Sequence, residues 1–189
     1  MCSAHISLKG DDPTRIDPSG DEETMTTRLE NLLGAFSVAV NDSMDDAFDE
    51  ACAVGDSAPA ALILIHENPD TRIEALARYL ALSHSGTVRL VDRLAQAGWV
   101  ARETCDDKRA VVLVLTKAGT KVAERLLEGR RKSLGQALDG ISAADRKVLE
   151  RILPQMLNNL VTDPAQADHT CRYCDGGACE REGCPLPGN

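Results

Sequence analysis

Residues 76–119 read LARYLALSHSGTVRLVDRLAQAGWVARETCDDKRAVVLVLTKAG, and this stretch decides the fold. Its first half contains two short runs with apolar residues at every third or fourth position, a spacing typical of amphipathic helices. Ser83 is a good N-cap for the second run, and Gly98 ends it. Two short helices joined by such a turn form a helix-turn-helix. The β-rich runs WVARE and AVVLVLT follow, so the sequence predicts a winged helix-turn-helix.

The second helix of this motif, residues 83–97, is the predicted recognition helix. Its buried stripe is predicted to contain Thr87, Leu90, Val91 and Leu94. The opposite face offers small and basic side chains to a DNA major groove: His84, Ser85, Gly86, Val88, Arg89 and Arg93. Arg89 is the strongest candidate for reading a base, because arginine can bond guanine through two hydrogen bonds. For each of these side chains, the alternative is an ordinary solvated surface residue.

Charge is distributed unevenly along the chain, which has a formal net charge of −9. Residues 72–132 hold 13 Lys and Arg against 7 Asp and Glu, so the middle of the chain is locally basic. A basic segment in an acidic protein is expected where one face meets phosphates, although a solvated charged surface has the same composition. Asp92 is predicted to pair with a nearby arginine, because phosphates would repel its carboxylate.

The composition excludes several other classes of protein. The chain has no long apolar run, and its first twenty residues lack the apolar centre of a signal peptide, so we expect a cytoplasmic protein without a membrane partner. No nucleophile with a base at usable spacing and no phosphate-binding loop occurs, so we do not expect an enzyme. A binding protein is the remaining class.

Helices are predicted on both sides of the winged helix. Apolar residues recur from Met25 to Cys52 at helical spacing, and further helices begin at Lys117 and after Ser142. Their long apolar faces predict a homodimer. The predicted fold is mainly α with a small β-hairpin wing, organised as a disordered tail (1–23), a dimerisation helix (24–57), a DNA-binding domain (58–116), dimerisation helices (117–162) and a Cys-rich tail (163–189).

The winged-helix segment resembles the MarR family of bacterial transcriptional regulators. The resemblance lies in the segments LA-x-x-L-x-LS and VDRL, in the D-x-R of the wing and in the exit LT-x-x-G. It implies a homodimer that binds a pseudo-palindromic double-stranded DNA operator, usually as a repressor, with small aromatic acids as effectors. It also implies that Arg109 enters the minor groove while Asp107 holds the loop. Lys108 and Arg102 are predicted to contact phosphates.

Four of the seven cysteines fall outside this pattern, in the spacing C-x2-C-x4-C-x4-C. Four thiolates at this spacing suit tetrahedral Zn(II). We therefore expect a structural zinc site formed by Cys171, Cys174, Cys179 and Cys184. The tail that carries this site is expected to pack on its own dimer. The alternatives are a thiol or redox switch, an iron–sulfur cluster and an inert tail. His169 is a substitute ligand or a bystander. Asp163–Thr170 is predicted to be a linker.

The remaining cysteines have different predicted roles. Cys52 lies on the apolar stripe of the first helix and is expected to be a small core residue. Cys105 lies in the wing, where oxidation could displace the Arg109 loop from DNA, although neighbouring carboxylates disfavour its thiolate. The tail also resembles a zinc knuckle for single-stranded nucleic acid, but Tyr173 is its one aromatic residue, and such knuckles need stacking aromatics.

Overall fold

The computed structural model describes residues 22–104, 111–177 and 184–187, with side chains from Met25 onward. It confirms a mainly α fold with a two-stranded wing. None of the helices in these ranges has the length and apolar character that a membrane crossing requires. In chain order the elements are α1 (Glu22–Ala51), α2 (Ala58–Glu67), α3 (Ile73–Leu80), α4 (His84–Gln96), β1 (Val100–Thr104), β2 (Val111–Leu115), α5 (Lys117–Leu138), α6 (Ala143–Leu160), α7 (Pro164–Thr170) and a 3-10 turn (Cys171–Tyr173).

Helices α3 and α4 form the predicted helix-turn-helix. Helix α3 ends at Leu80, and the residue that caps it, Ala81, has a φ of 53°, which lies in the left-handed region. The chain then reverses at once, because the Leu82 amide donates to the Ala77 carbonyl at 3.0 Å. Ser83 caps α4, since its side-chain oxygen accepts from the Gly86 amide at 3.1 Å. The helix predicted at residues 83–97 is therefore confirmed, and its role in recognition stays a prediction.

The wing is an antiparallel pair in which Val100 opposes Leu115 and Thr104 opposes Val111. A third segment steadies it, because the Leu113 amide donates to the Thr71 carbonyl at 2.8 Å. The Leu113 side chain is fully buried. The base of the wing is thus held against the start of the helix-turn-helix, which fixes its direction relative to α4.

The main core is built around α2. Every residue of this helix from Ala58 to Ile65 is buried, as expected for a helix that is apolar on all sides. Phe48 and Cys52 from the end of α1 and Leu126 from α5 pack into the same cluster. Cys52 is 3% exposed, which confirms its prediction as a core residue.

The LT-x-x-G exit has a clear physical role. Thr116 caps α5 by accepting from the Gly119 amide, and its hydroxyl donates to the Gly98 carbonyl at 2.6 Å. Gly119 lies so close to the wing that a Cβ at this position would overlap the Trp99 carbonyl. Only glycine fits there, so the junction between wing and α5 depends on it.

Helix α1 differs from its prediction at both ends. It begins at Glu22, within the expected disordered tail, and ends at Ala51 rather than at Gly55. The boundary between the two compact units of the chain falls after Ala39. In the first unit the predicted apolar stripe is exposed, with Met25, Leu29, Leu32 and Phe36 each more than half exposed. Residues 1–21 lie outside the described residues.

The C-terminal region corrects one prediction and confirms another. The expected linker is instead α7, because Asp163 caps it through the amides of Ala165 and Gln166, and Pro164 takes its first position. Ser142 caps α6 as predicted, by accepting from the Asp145 amide at 3.1 Å. Helix α6 continues through Pro154, and none of its residues is buried in the single chain.

Candidate DNA-binding surface and cysteine cluster

The recognition helix divides into a buried and an exposed face, as its sequence predicts. Thr87, Leu90, Val91 and Leu94 are buried. The predicted contact residues His84, Ser85, Arg89 and Arg93 are exposed, and Gly86 and Val88 are half-buried. A Cβ on Gly86 would lie 3.2 Å from the Ser83 hydroxyl, so this glycine serves the helix cap as well as close approach to a partner.

Arg89 and Arg93 differ in their surroundings. Within the described ranges, neither takes part in an ion pair. The Arg93 guanidinium lies beside the loop at Gly55, about 3.8 Å from where a Cβ would stand on that glycine. The Arg93 side chain therefore belongs to the recognition helix but lies beside the loop that follows α1. In the described part of the chain Arg89 forms no ion pair, and it stays the stronger candidate for reading a base.

One ion pair connects the wing to the recognition helix. Nη2 of Arg102 on β1 lies 2.7 Å from Oδ1 of Asp92 on α4. This confirms the prediction that Asp92 pairs with a nearby arginine. It also shows that Arg102, predicted to contact phosphate, has an intramolecular partner, while the remaining donors of its guanidinium stay available. Both side chains are partly exposed, so the pair fixes geometry more than it adds stability.

The predicted tip of the wing lies outside the described residues. This applies to Asp107, Lys108 and Arg109, and to the candidate redox residue Cys105. The strands that flank these positions are described, with Thr104 paired to Val111. The roles of the four residues stay predictions.

Three of the four clustered cysteines are described, and the fold brings them together. Cys174 and Cys184 are the residues whose side chains act most strongly on the Cys171 thiol. Burial, together with these two neighbours, raises the pKa of Cys171 to about 12. None of the three forms a disulfide in the described part of the chain, and Cys179 lies outside the described residues. Among the residues that the structure describes, no three His, Cys, Asp or Glu side chains are already arranged around a metal position.

The cysteine cluster rests on a small hydrophobic core of its own. Val161, Ala167 and Leu186 are buried there, at 7%, 2% and 5% exposure. Cys171 and Cys184 pack against these three side chains. The end of α6, helix α7 and the segment 184–187 therefore form one folded module, which we call the cysteine module (residues 161–177 and 184–187).

The cysteine module packs on the helix-turn-helix, a contact that the sequence did not predict. Asp168 Oδ2 lies 2.6 Å from Nε of Arg78 on α3, and this hydrogen bond raises the pKa of Arg78. The next residue, His169, places its Nδ1 3.1 Å from the Tyr79 carbonyl. A carbonyl only accepts, so Nδ1 of His169 carries the proton. His169 thus has a structural partner on α3.

Two further contacts join the module to α1 and α2. The Gly176 amide donates to Glu67 Oε2 at 2.9 Å, beside the end of α2. The rings of Tyr173 and Phe48 lie 5.0 Å apart, within the usual range of aromatic pairs. Arg172 stacks on Tyr173, with its guanidinium carbon 4.7 Å from the ring centroid. The cysteine module therefore contacts the winged helix through charge, hydrogen bonds and an aromatic pair.

Comparison with known proteins agrees with this geometry. Residues 59–111 match the MarR family. The transcriptional repressor MprA of Escherichia coli K12 is 28% identical over 95 residues, which cover 50% of this chain and 54% of that protein. The chain thus matches about half the length of this curated relative.

Solved structures show the same fold over a longer stretch. A MarR family protein from Bacillus stearothermophilus has a TM-score of 0.62 at 25% identity, covering 73% of this chain and 96% of its own. The YusO protein of Bacillus subtilis has a TM-score of 0.64 at 18% identity, covering 72% and 97%. The motifs, the helix-turn-helix with its wing and these matches agree, and the chain therefore contains a MarR-family domain.

Proposed function

We propose that this protein is a dimeric, sequence-specific DNA-binding transcriptional regulator. The observation that carries the proposal is the exposed, basic face of α4, supported by a buried stripe in a MarR-family domain. A helix of this kind fits the major groove, and its N-terminal residues then meet base edges. Arg89 would read a guanine, and the wing would follow the adjacent minor groove.

Unpaired apolar faces support the homodimer. Side chains of α1 before Ala39 are exposed, and Leu153 and Leu160 of α6 are 47% and 77% exposed. Isolated exposed apolar residues are ordinary, but rows of them along two helices are typical of an interface. A second copy would cover both rows and place two recognition helices against two half-sites of a pseudo-palindrome.

We propose that the protein is a repressor that an effector releases from DNA. A groove between the wing and α5 offers a place for such an effector. Trp99 and Val122 give it an apolar wall, and its charged lining residues are Lys121, Arg125 and Glu124, an excess of one positive charge. An aromatic carboxylate matches both features, because its ring packs on apolar surface and its charge pairs with a cation. We propose that a small aromatic acid binds here and relieves repression.

The experiment is selection of duplexes from random-sequence DNA by the full chain, followed by titration at several salt concentrations. We expect a pseudo-palindrome whose binding weakens as salt rises. Arg89→Ala should cost about 1 to 3 kcal/mol and relax preference at one base position per half-site. Arg131→Ala on α5 removes the same charge away from α4 and is the matched control. Equal binding by both variants and wild type would contradict the assignment.

The oligomeric state is measured separately by light scattering on dilute protein. We expect a dimer for the wild type and a shift toward monomer for Leu29→Asp, because this side chain is 56% exposed in the single chain and would be buried in the pair. A folded wild-type monomer at all concentrations would contradict the dimer. A metal- or thiol-responsive form of the same regulator is the second candidate, and the cysteine module favours it.

A further inference from the structure

We propose that His169 and Asp168 of the cysteine module are positioning residues for DNA binding: they cap and anchor the end of α3, and so hold the turn that directs the recognition helix. The proposal rests on the proposed DNA-binding function. It adds to that function a part of the chain that lies outside the MarR-family match at residues 59–111. The two side chains act through α3 rather than by touching DNA.

The carbonyl groups at the end of α3 receive donors from two places. The last four carbonyls of a helix have no amide of the same helix to accept from, so they need partners from elsewhere. The amides of Ala81 and Leu82, in the turn after α3, donate back to carbonyls of the helix at 3.2 and 3.0 Å. The Tyr79 carbonyl, in the same last turn, accepts from Nδ1 of His169 at 3.1 Å. His169 therefore caps α3 from a segment far away in sequence.

The capping side chain sits on a support that is itself fixed. Ala167, two residues before His169, is 2% exposed in the small core of the module. The Gly176 amide bonds the module to Glu67 of α2 at 2.9 Å. The Tyr173 ring packs against the main core. The element that presents His169 to α3 is thus held by α2 and the main core, so the cap ties the end of α3 to both.

A neighbouring ion pair sets the register of this contact. Asp168 Oδ2 lies 2.6 Å from Nε of Arg78. Adjacent residues of α7, Asp168 and His169, therefore contact adjacent residues of α3, Arg78 and Tyr79. Helix α7 cannot slide or turn on α3 without losing both contacts. The ion pair thus keeps the capping nitrogen opposite its carbonyl.

The turn that the cap protects is the one that directs α4. Ala81 follows α3 directly and has a φ of 53°. Left-handed backbone costs a non-glycine residue free energy and persists only where its surroundings hold it. Ser83, two residues later, caps α4. Fraying of the last turn of α3 would release Ala81 and let α4 point in several directions, and DNA affinity falls with the fraction of molecules in which this helix is correctly directed.

Variants of His169 that differ in one hydrogen-bond donor test the cap. In His169→Ala the Tyr79 carbonyl loses its donor, and we expect affinity for the duplex selected under "Proposed function" to fall about fivefold. His169→Asn places an amide N–H close to the position of Nδ1 and should restore affinity to within about twofold of wild type. Thr170→Ala on the same helix is the matched control, because the Thr170 hydroxyl donates within α7.

Three further readouts separate positioning from general stabilisation and from direct contact with DNA. Affinity for an unrelated duplex should stay the same in His169→Ala, because non-specific binding depends on phosphate charge. The dependence of affinity on salt should also stay the same, since no phosphate contact is lost. Hydrogen exchange of the Leu82 amide should become faster in His169→Ala and return to the wild-type rate in His169→Asn, with helix content unchanged by circular dichroism.

Asp168→Asn tests the anchor and is the second variant should His169→Ala not fold. It weakens the bond to Arg78, and we expect a loss of affinity of about twofold to threefold, smaller than that of His169→Ala because the cap itself remains. Tighter binding with a steeper salt dependence would overturn the proposal, because it would show that Asp168 withholds Arg78 from phosphates.

The outcomes separate this proposal from the proposed function. If no duplex is selected, the proposed function fails and the positioning role fails with it. If a duplex is selected, but His169→Ala and Asp168→Asn bind it as tightly as wild type, the positioning role is wrong while the DNA-binding function stands. An equal loss of affinity for selected and unrelated duplexes, or failure of His169→Asn to restore binding, would also overturn the proposal.

Discussion

The winged helix and the cysteine module use the same local signals, yet the sequence predicted the helix in the first and a linker in place of α7 in the second. In both, a side-chain oxygen caps a short helix: Ser83 caps α4, and Asp163 caps α7. The winged helix buries its stripe in a large shared core, whereas the module has three buried side chains of its own. The comparison teaches that a cap and a short helix acquire stability from the core they belong to.

The largest expected effect on stability is that of Gly119→Ala, which should destabilise the winged helix. A Cβ there overlaps the Trp99 carbonyl, so wing and α5 must separate, and we expect the free energy of unfolding to fall by about 3 kcal/mol. Urea denaturation followed by circular dichroism measures it. Gly135→Ala, in open space on the same helix, is the control and should stabilise by about 0.5 to 1 kcal/mol. Equal effects of the two substitutions would contradict the close packing.

Leu186→Ala should have the next largest effect on stability, and this effect should be confined to the cysteine module. This side chain is 5% exposed in the small core, so its loss costs about 2 kcal/mol of local stability. Since the winged helix has a separate core, we expect faster proteolysis of the C-terminal segment with an unchanged global urea midpoint. A lower global midpoint would show that module and winged helix unfold as one unit.

The two capping residues provide a matched pair. Ser83→Ala removes the cap of α4 and should lower the global free energy of unfolding by about 1 kcal/mol. Asp163→Ala removes the cap of α7 and should leave the global value unchanged, while amides near Ala165 and Gln166 exchange faster. Hydrogen exchange and urea denaturation together distinguish the two. An equal loss of global free energy of unfolding in both variants would contradict the expected difference between the winged helix and the cysteine module.

The smallest expected effect is that of the Arg78–Asp168 ion pair on stability. The Arg78 side chain is 58% exposed, and exposed pairs contribute about 0.5 kcal/mol, less at high salt. Arg78→Gln should therefore change the urea midpoint little. A double-mutant cycle with Asp168→Asn measures the coupling between the two side chains. A coupling above about 2 kcal/mol would show that the pair is far less solvated than its exposure indicates.

The sequence predicted those features that depend on neighbouring residues. Ser83, Gly98 and the alternating residues of the wing act over a few positions, so helix, turn and strand followed from them. The Asp163–Pro164 pair is an equally local start signal for α7, and its interpretation as a linker was wrong because polar composition was given more weight. The exposed face of α4 could be predicted because its helical period separates buried from exposed positions.

Contacts between distant segments could not be predicted in the same way. Arg78 and Asp168 are 90 residues apart, and nothing in either local sequence indicates the partner. The stripe of α1 also looked uniform in sequence, yet only its end, with Phe48 and Cys52, is buried in the single chain. Periodicity shows that a face is apolar, but it does not show which surface covers it. The wing tip and Cys179 stay predictions, since they lie outside the described residues.

The Arg102–Asp92 pair has a consequence for the DNA sequences that this protein would prefer. Because it crosslinks the wing to the recognition helix, the two elements would reach the proposed DNA grooves at a fixed mutual offset. Base preferences under the helix and under the wing should then be non-additive, since a change that shifts one element also shifts the other. Higher ionic strength weakens an exposed ion pair, so the two sets of preferences should become more independent as salt rises.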